Sequence, residues 1–167
     1  MLFDPREWSL LVLGRAATVL AAALNRRSIP CRTPEEHVVS VLLVDDGTAA
    51  LGSLALLVAA HGHLVNMAIN GMDVLRRVRT NRPDVVVADC EMPVMDGVDL
   101  TREMQADPEL ARVPVVLLLA GAGRRRVRVF AVLRKPFAPT KLLELIKRID
   151  RRNPKLLAAL GRGRATR

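Results

Sequence analysis

The sequence predicts an α/β fold, a doubly wound parallel sheet flanked by helices. Short apolar, β-branched runs recur along the chain and alternate with segments of helical period, as strand–helix–strand units do. The runs are continuous rather than alternating, as in strands buried on both faces. Acidic residues, Asp45-Asp46 and Asp89, fall at the carboxyl ends of two runs, where open α/β sheets bind ligands.

From the N-terminus, Asp4-Pro5 provides a cap and first turn for a helix. Trp8 to Leu24 is apolar except for Ser9, Arg15 and Thr18. These 17 residues are short for a membrane span, which needs about 20 residues. The leading MLFDPRE is no positively charged signal region. A packed or partner-binding helix is expected, with weak membrane association as the second reading and no transmembrane span. Asn25 to Pro34 is polar and proline-bearing, a linker. Residues 1–37 therefore form an N-terminal helix and linker.

Val38–Val44 is the first strand and ends in Asp45-Asp46. Thr48–Ala60 has helical period, closed by His61-Gly62-His63. Leu64–Ile69 is the second strand, and Asn70-Gly71 turns into a helix over Met72–Thr80. Pro83 precedes a third strand, Asp84–Ala88, which delivers Asp89. Val98–Gln105 is the next helix and Pro114–Leu119 the fourth strand. Val129–Leu133 is the last apolar run. Lys141–Arg152 is an amphipathic helix with Leu142, Leu145, Ile146 and Ile149 on one face. The main domain spans 38–151, followed by a basic tail, 152–167.

Half of the 167 residues are apolar, with one Trp, three Phe and no Tyr, so the core must be aliphatic. Cys31 and Cys90 lie too far apart for a CxxC metal pair and make no disulfide framework, which fits a reducing cytoplasm. The +9 net charge is uneven: residues 124–167 carry 15 basic and 2 acidic side chains, and residues 1–123 carry 11 and 15. The basic end suits an anionic partner such as nucleic acid. Its simpler reading is a solvated helix face, because no aromatic is interleaved in 138–167 to stack on bases. His61, His63 and His37 read as structural or surface residues, and Cys90 as a small buried one.

Carboxylates converging at one sheet edge repel and resist ionisation. A divalent cation resolves the conflict, and oxygen ligands with open positions suit Mg²⁺, which keeps waters and bridges to phosphate. A carboxylate that attacks phosphorus forms an aspartyl phosphate, by positioning and electrostatics. Lys135, after the last apolar run, can bring a cation to that phosphate. Asp45-Asp46 alone would read as a turn or cap. The ordered set with Asp89 and Lys135 changes that.

The stretches VLLVDD at 41–46, DVVVADCEMPVMDG at 84–97, VPVV at 113–116 and LRKPF at 133–137 resemble the response-regulator receiver family, with its chemotaxis-regulator-like fold. The resemblance covers about residues 38–151. It implies five strands in the order 2-1-3-4-5. It implies Asp89 as phosphoacceptor, Asp45 and Asp46 as Mg²⁺ ligands, the backbone carbonyl of Glu91 as a further ligand, and Lys135 on the phosphoryl group. Phosphate would come from a histidine kinase or phosphotransfer protein. Residues 152–167 are too short for a helix-turn-helix unit, so output through a downstream protein is expected.

The sequence departs from the family at the end of the fourth strand. Leu119 stands where a Thr or Ser is usual, and Val132 where the aromatic switch residue lies. Only ten residues, Gly121 to Phe130, separate Ala120 from Ala131, whereas parallel strands usually need a crossover of about a dozen. A shortened fourth helix is expected. Two functions follow: a phosphorylated signalling receiver, or a degenerate receiver that acts as a phosphorylation-independent interaction module.

Overall fold

The computed structural model describes residues 38–121 and 127–151. The expected N-terminal helix, the basic tail, Arg124–Arg126, Cys31 and His37 lie outside the described residues. The described chain runs β1 (Ser40–Val44), α1 (Thr48–Ala60), β2 (Leu64–Ala68), α2 (Gly71–Thr80), β3 (Val85–Asp89), α3 (Gly97–Ala106), β4 (Val115–Ala120), β5 (Ala131–Lys135) and α4 (Pro139–Asp150). All pairings are parallel and the sheet order is β2-β1-β3-β4-β5, as the sequence predicts.

Each boundary has a local cause. Asp84 ends up outside β3 because it clamps the neighbouring strand: its carboxylate accepts from the Ser40 N–H at 2.9 Å, and its own N–H donates to the Ser40 carbonyl. Asn70 caps α2 by accepting from the Asp73 N–H at 2.9 Å. Asp96 caps α3 by accepting from the N–H groups of Val98 and Asp99, both at 2.8 Å. α4 starts at Pro139, whose missing N–H costs nothing in a first turn.

Strand period divides the core in two. On one face Val41, Leu43, Val85, Val87, Val116, Leu118 and Leu133 pack against α1 and α4. On the other Leu42, Val44, Val86, Ala88, Val115, Leu117 and Leu119 pack with Val74 of α2 and with Leu100 and Met104 of α3. β3 is buried along its whole length, so the strand that carries Asp89 is the least able to shift. Burying each of its valines contributes roughly 1.5–3 kcal/mol.

No helix is found between β4 and β5 among the described residues; 122–126 lie outside them. The last strand begins at Ala131, two residues later than the apolar run suggests, and extends to Lys135. Val127 and Val129 are not strand residues. They pack against the second core cluster, giving it apolar cover beside α3. Gln105 Nε2 donates to the Arg128 carbonyl, Phe130 N–H donates to the Val115 carbonyl, and the Arg148 guanidinium sits 5.8 Å above the Phe130 ring.

Candidate functional site

Asp45, Asp89 and Lys135 are brought together by strand parity. Counting back in twos from each reaches Leu43 and Val41, Val87 and Val85, Leu133 and Ala131, all on the α1/α4 face. Parallel register then sets the three strand ends side by side, with Val44 opposite Ala88 and Ala120 opposite Lys135. Lys135 Nζ donates to Asp89 Oδ2 at 2.8 Å and to Asp45 Oδ2 at 3.2 Å. The other Asp45 oxygen accepts from the Gly47 N–H at 2.7 Å. Asp45 and Asp89 are buried, and Asp46, of opposite parity, is exposed.

Ligand oxygens of Asp45, Asp46 and Asp89 lie within 4.8 Å of one another. Burial pushes the Asp45 carboxyl above the usual carboxylate range, and the Lys135 charge counters this only in part. For Lys135, burial disfavours the ammonium, but the hydrogen bond to Asp89 and the charges of Asp45 and Asp89 outweigh it and raise its pKa. One lysine thus serves two buried carboxylates. Asp89 Oδ1 is buried with no hydrogen-bond partner. A buried carboxylate oxygen without a partner is costly, and here it belongs to an all-oxygen acidic cluster. That donor set fits a hard divalent cation such as Mg²⁺. Glu91 is exposed, two residues past Asp89.

The loop after Asp89 is tightly held. A Cβ at Gly97 would collide with the Asp89 carbonyl oxygen, so only glycine lets α3 start this close to β3. The Thr101 hydroxyl donates to the Gly97 carbonyl at 2.6 Å, fixing that turn from the buried side. A side chain at Gly71 would strike Met95, which packs over the start of α2. Val94, 83% exposed, has φ 71°, a left-handed conformation that a β-branched side chain resists. Sequence reasoning missed Gly47, Thr101 and the Gly71–Met95 contact. Parity would have paired Asp45 with Asp89 and separated Asp46; no periodic signal marks the other contacts.

The two departures are also placed. Leu119 is buried in the second core cluster with Leu117 and Val115. Val132, opposite Leu117 in register, is half exposed.

Residues 41–147 match the family model for the response regulator receiver domain. A gliding motility regulatory protein of Myxococcus xanthus is 35% identical over 111 residues, 63% of this chain and 14% of that protein. The response regulator MprA of a Mycobacterium species is 32% identical over 120 residues, 68% of this chain and 51% of that protein. The chain therefore spans about half of one of these relatives and about a seventh of the other. Among solved structures, the receiver domain of a sensor histidine kinase from Pseudomonas aeruginosa PAO1 superposes with a TM-score of 0.64 at 27% identity, covering 68% of this chain and 98% of that one. That structure holds a magnesium ion in its active-site cleft.

Proposed function

The chain belongs to the response-regulator receiver family, a family of signalling modules rather than conventional enzymes, and from that premise we propose that it is a phosphoacceptor whose Asp89 takes a phosphoryl group from a histidine kinase or phosphotransfer protein. The observation that carries this reading is the unpartnered buried Oδ1 of Asp89, beside the Lys135 ammonium and the carboxylates of Asp45 and Asp46. An Asp89 oxygen attacks phosphorus, the P–N bond of the phosphohistidine breaks, and its electron pair returns to the imidazole nitrogen. Asp45, Asp46, Asp89 and the Glu91 backbone carbonyl would hold Mg²⁺, which when bound offsets the charge of the incoming phosphoryl oxygens. Lys135 releases the carboxylates and turns its donors to the new phosphate.

Residues 38–151 form the receiver unit in this reading, with 1–37 and 152–167 as appendages in a cytoplasmic protein that signals by protein contact. No described helix is long and apolar enough to cross a membrane. The chain incubated with Mg²⁺ and acetyl phosphate gains one phosphoryl group in intact-mass measurement, and beryllofluoride binds at the same site. No adduct, or one that survives Asp89→Ala, overturns the proposal.

Leu119 and Val132 favour a second reading, a degenerate receiver that binds its partner regardless of phosphate. A phosphorylation-dependent change in amide spectra across 119–135 rules it out. Nucleic-acid binding through 124–167 is the weakest reading. It requires affinity to fall steeply with salt.

A further inference from the structure

α1 is an anomaly on the surface of this domain. Its 13 residues, TAALGSLALLVAA, include no charged side chain and are apolar all round. A helix of that kind is normally covered on every side. Among the described residues only one side is covered, where Leu51, Leu54, Leu57 and Val58 are buried. The outward side carries Ala49, Gly52, Leu56 and Ala59, with Leu56 53% exposed. Beside it on the edge strand, Met67 is 48% exposed. A Cβ on Gly52 would meet nothing within 4 Å, and its φ is not positive. A mid-helix glycine is unfavourable relative to alanine, and no contact or turn among the described residues accounts for this one. A second backbone passing close to Gly52 would.

We propose that the apolar segment Trp8–Leu24 of the same chain lies along the outward face of α1, with its own small residues Gly14, Ala17 and Ala21 set against Gly52 and Leu56. The chain enters the described domain in the right place. The Val39 N–H donates to His63, and the His63 N–H donates to the Val58 carbonyl, so residue 38 adjoins the C-terminal end of α1. Thirteen linker residues, 25–37, lie between. Fully extended they span roughly 40 Å, about twice the ~20 Å length of α1. The linker is polar and the segment is not, which sorts one to solvent and the other to an apolar face.

Trp8 is the only tryptophan in the chain, so the full-length protein reports on itself. Its emission is blue-shifted and weakly quenched by acrylamide at every protein concentration, without lipid. Leu56→Glu and, independently, Gly52→Gln red-shift the emission and raise the quenching constant several-fold, while circular dichroism shows the domain still folded. Backbone amides of residues 9–24 lose hydrogen-exchange protection in the same variants. An indole already exposed in the unmodified chain, or a signal that neither variant moves, overturns the proposal. So does protection that appears only as protein concentration rises, which means a second copy. Protection only on adding phosphatidylglycerol vesicles means a membrane surface and also overturns it.

Discussion

The carboxyl ends of β1, β3 and β5 and the border between β4 and β5 belong to one sheet and differ in chemical equipment. At the first, the carboxylates and the lysine expected of a phosphoacceptor site are present and converging: Asp45, Asp89 and Lys135 within hydrogen-bond reach, Asp46 beside them. At the second, Leu119 is fully absorbed into an apolar core and Val132 carries no polar atom. In the proposed reading, taking up a phosphate and reporting it are separable properties, set on opposite faces of the sheet. On that reading the domain can be modified while its conformational response differs from that of family members with a hydroxyl and an aromatic there.

The largest effect that would break this contrast is at Asp89. Asp89→Asn abolishes the acetyl-phosphate adduct entirely, whereas Leu119→Thr leaves its yield unchanged; intact mass reads both. Lys135→Met leaves two buried carboxylates without their shared cation and lowers stability by about 3 kcal/mol in urea titration without metal. Mg²⁺ then restores part of the loss. Leu119→Thr costs about 2 kcal/mol, through lost apolar volume and a buried hydroxyl. In return it places an oxygen where a relay could use it, so a new phosphorylation-dependent amide shift across 119–135 would sharpen the comparison. Val94→Gly relieves the left-handed backbone and gains about 1 kcal/mol, with adduct formation retained.

The smallest effect serves as a control remote from both regions. The hydrogen bond from Arg77, at 2.9 Å, holds the Asp73 carboxyl below its ordinary range. A carboxyl depressed in the folded state contributes stability above the unfolded carboxylate range, and loses it as pH falls through the lowered folded value. Asp73→Asn therefore slightly lowers stability at neutral pH and flattens its decline in acid, and thermal melts from neutral to acid pH check it. The pair is partly exposed, so the change is slight.

Much of the fold is legible because buried parallel strands announce themselves as unbroken aliphatic runs. The run Val85–Ala88 needs no context to be read as a buried strand, although its bounds shift by one residue from Asp84–Ala88 to Val85–Asp89. Boundaries are less legible where a side chain competes for the backbone, as Asp84 does by clamping Ser40. The β4–β5 connection shows the limit in another way. Val127 and Val129 look like the start of a strand, yet they cover a core face.

By itself the sequence determined the α/β class, the strand order implied by its family resemblance, and the placing of Asp45, Asp46, Asp89 and Lys135 at the ends of apolar runs, because apolar period and motif order can be read along the chain. Only the tertiary structure decided that Lys135 bridges Asp45 and Asp89, that one Asp89 oxygen is left without a hydrogen-bond partner, and that the outward face of α1 is left exposed among the described residues. These depend on strand register and on which neighbours fill each side. The two Lys135 contacts couple residues 46 and 90 positions apart, and no local pattern encodes them.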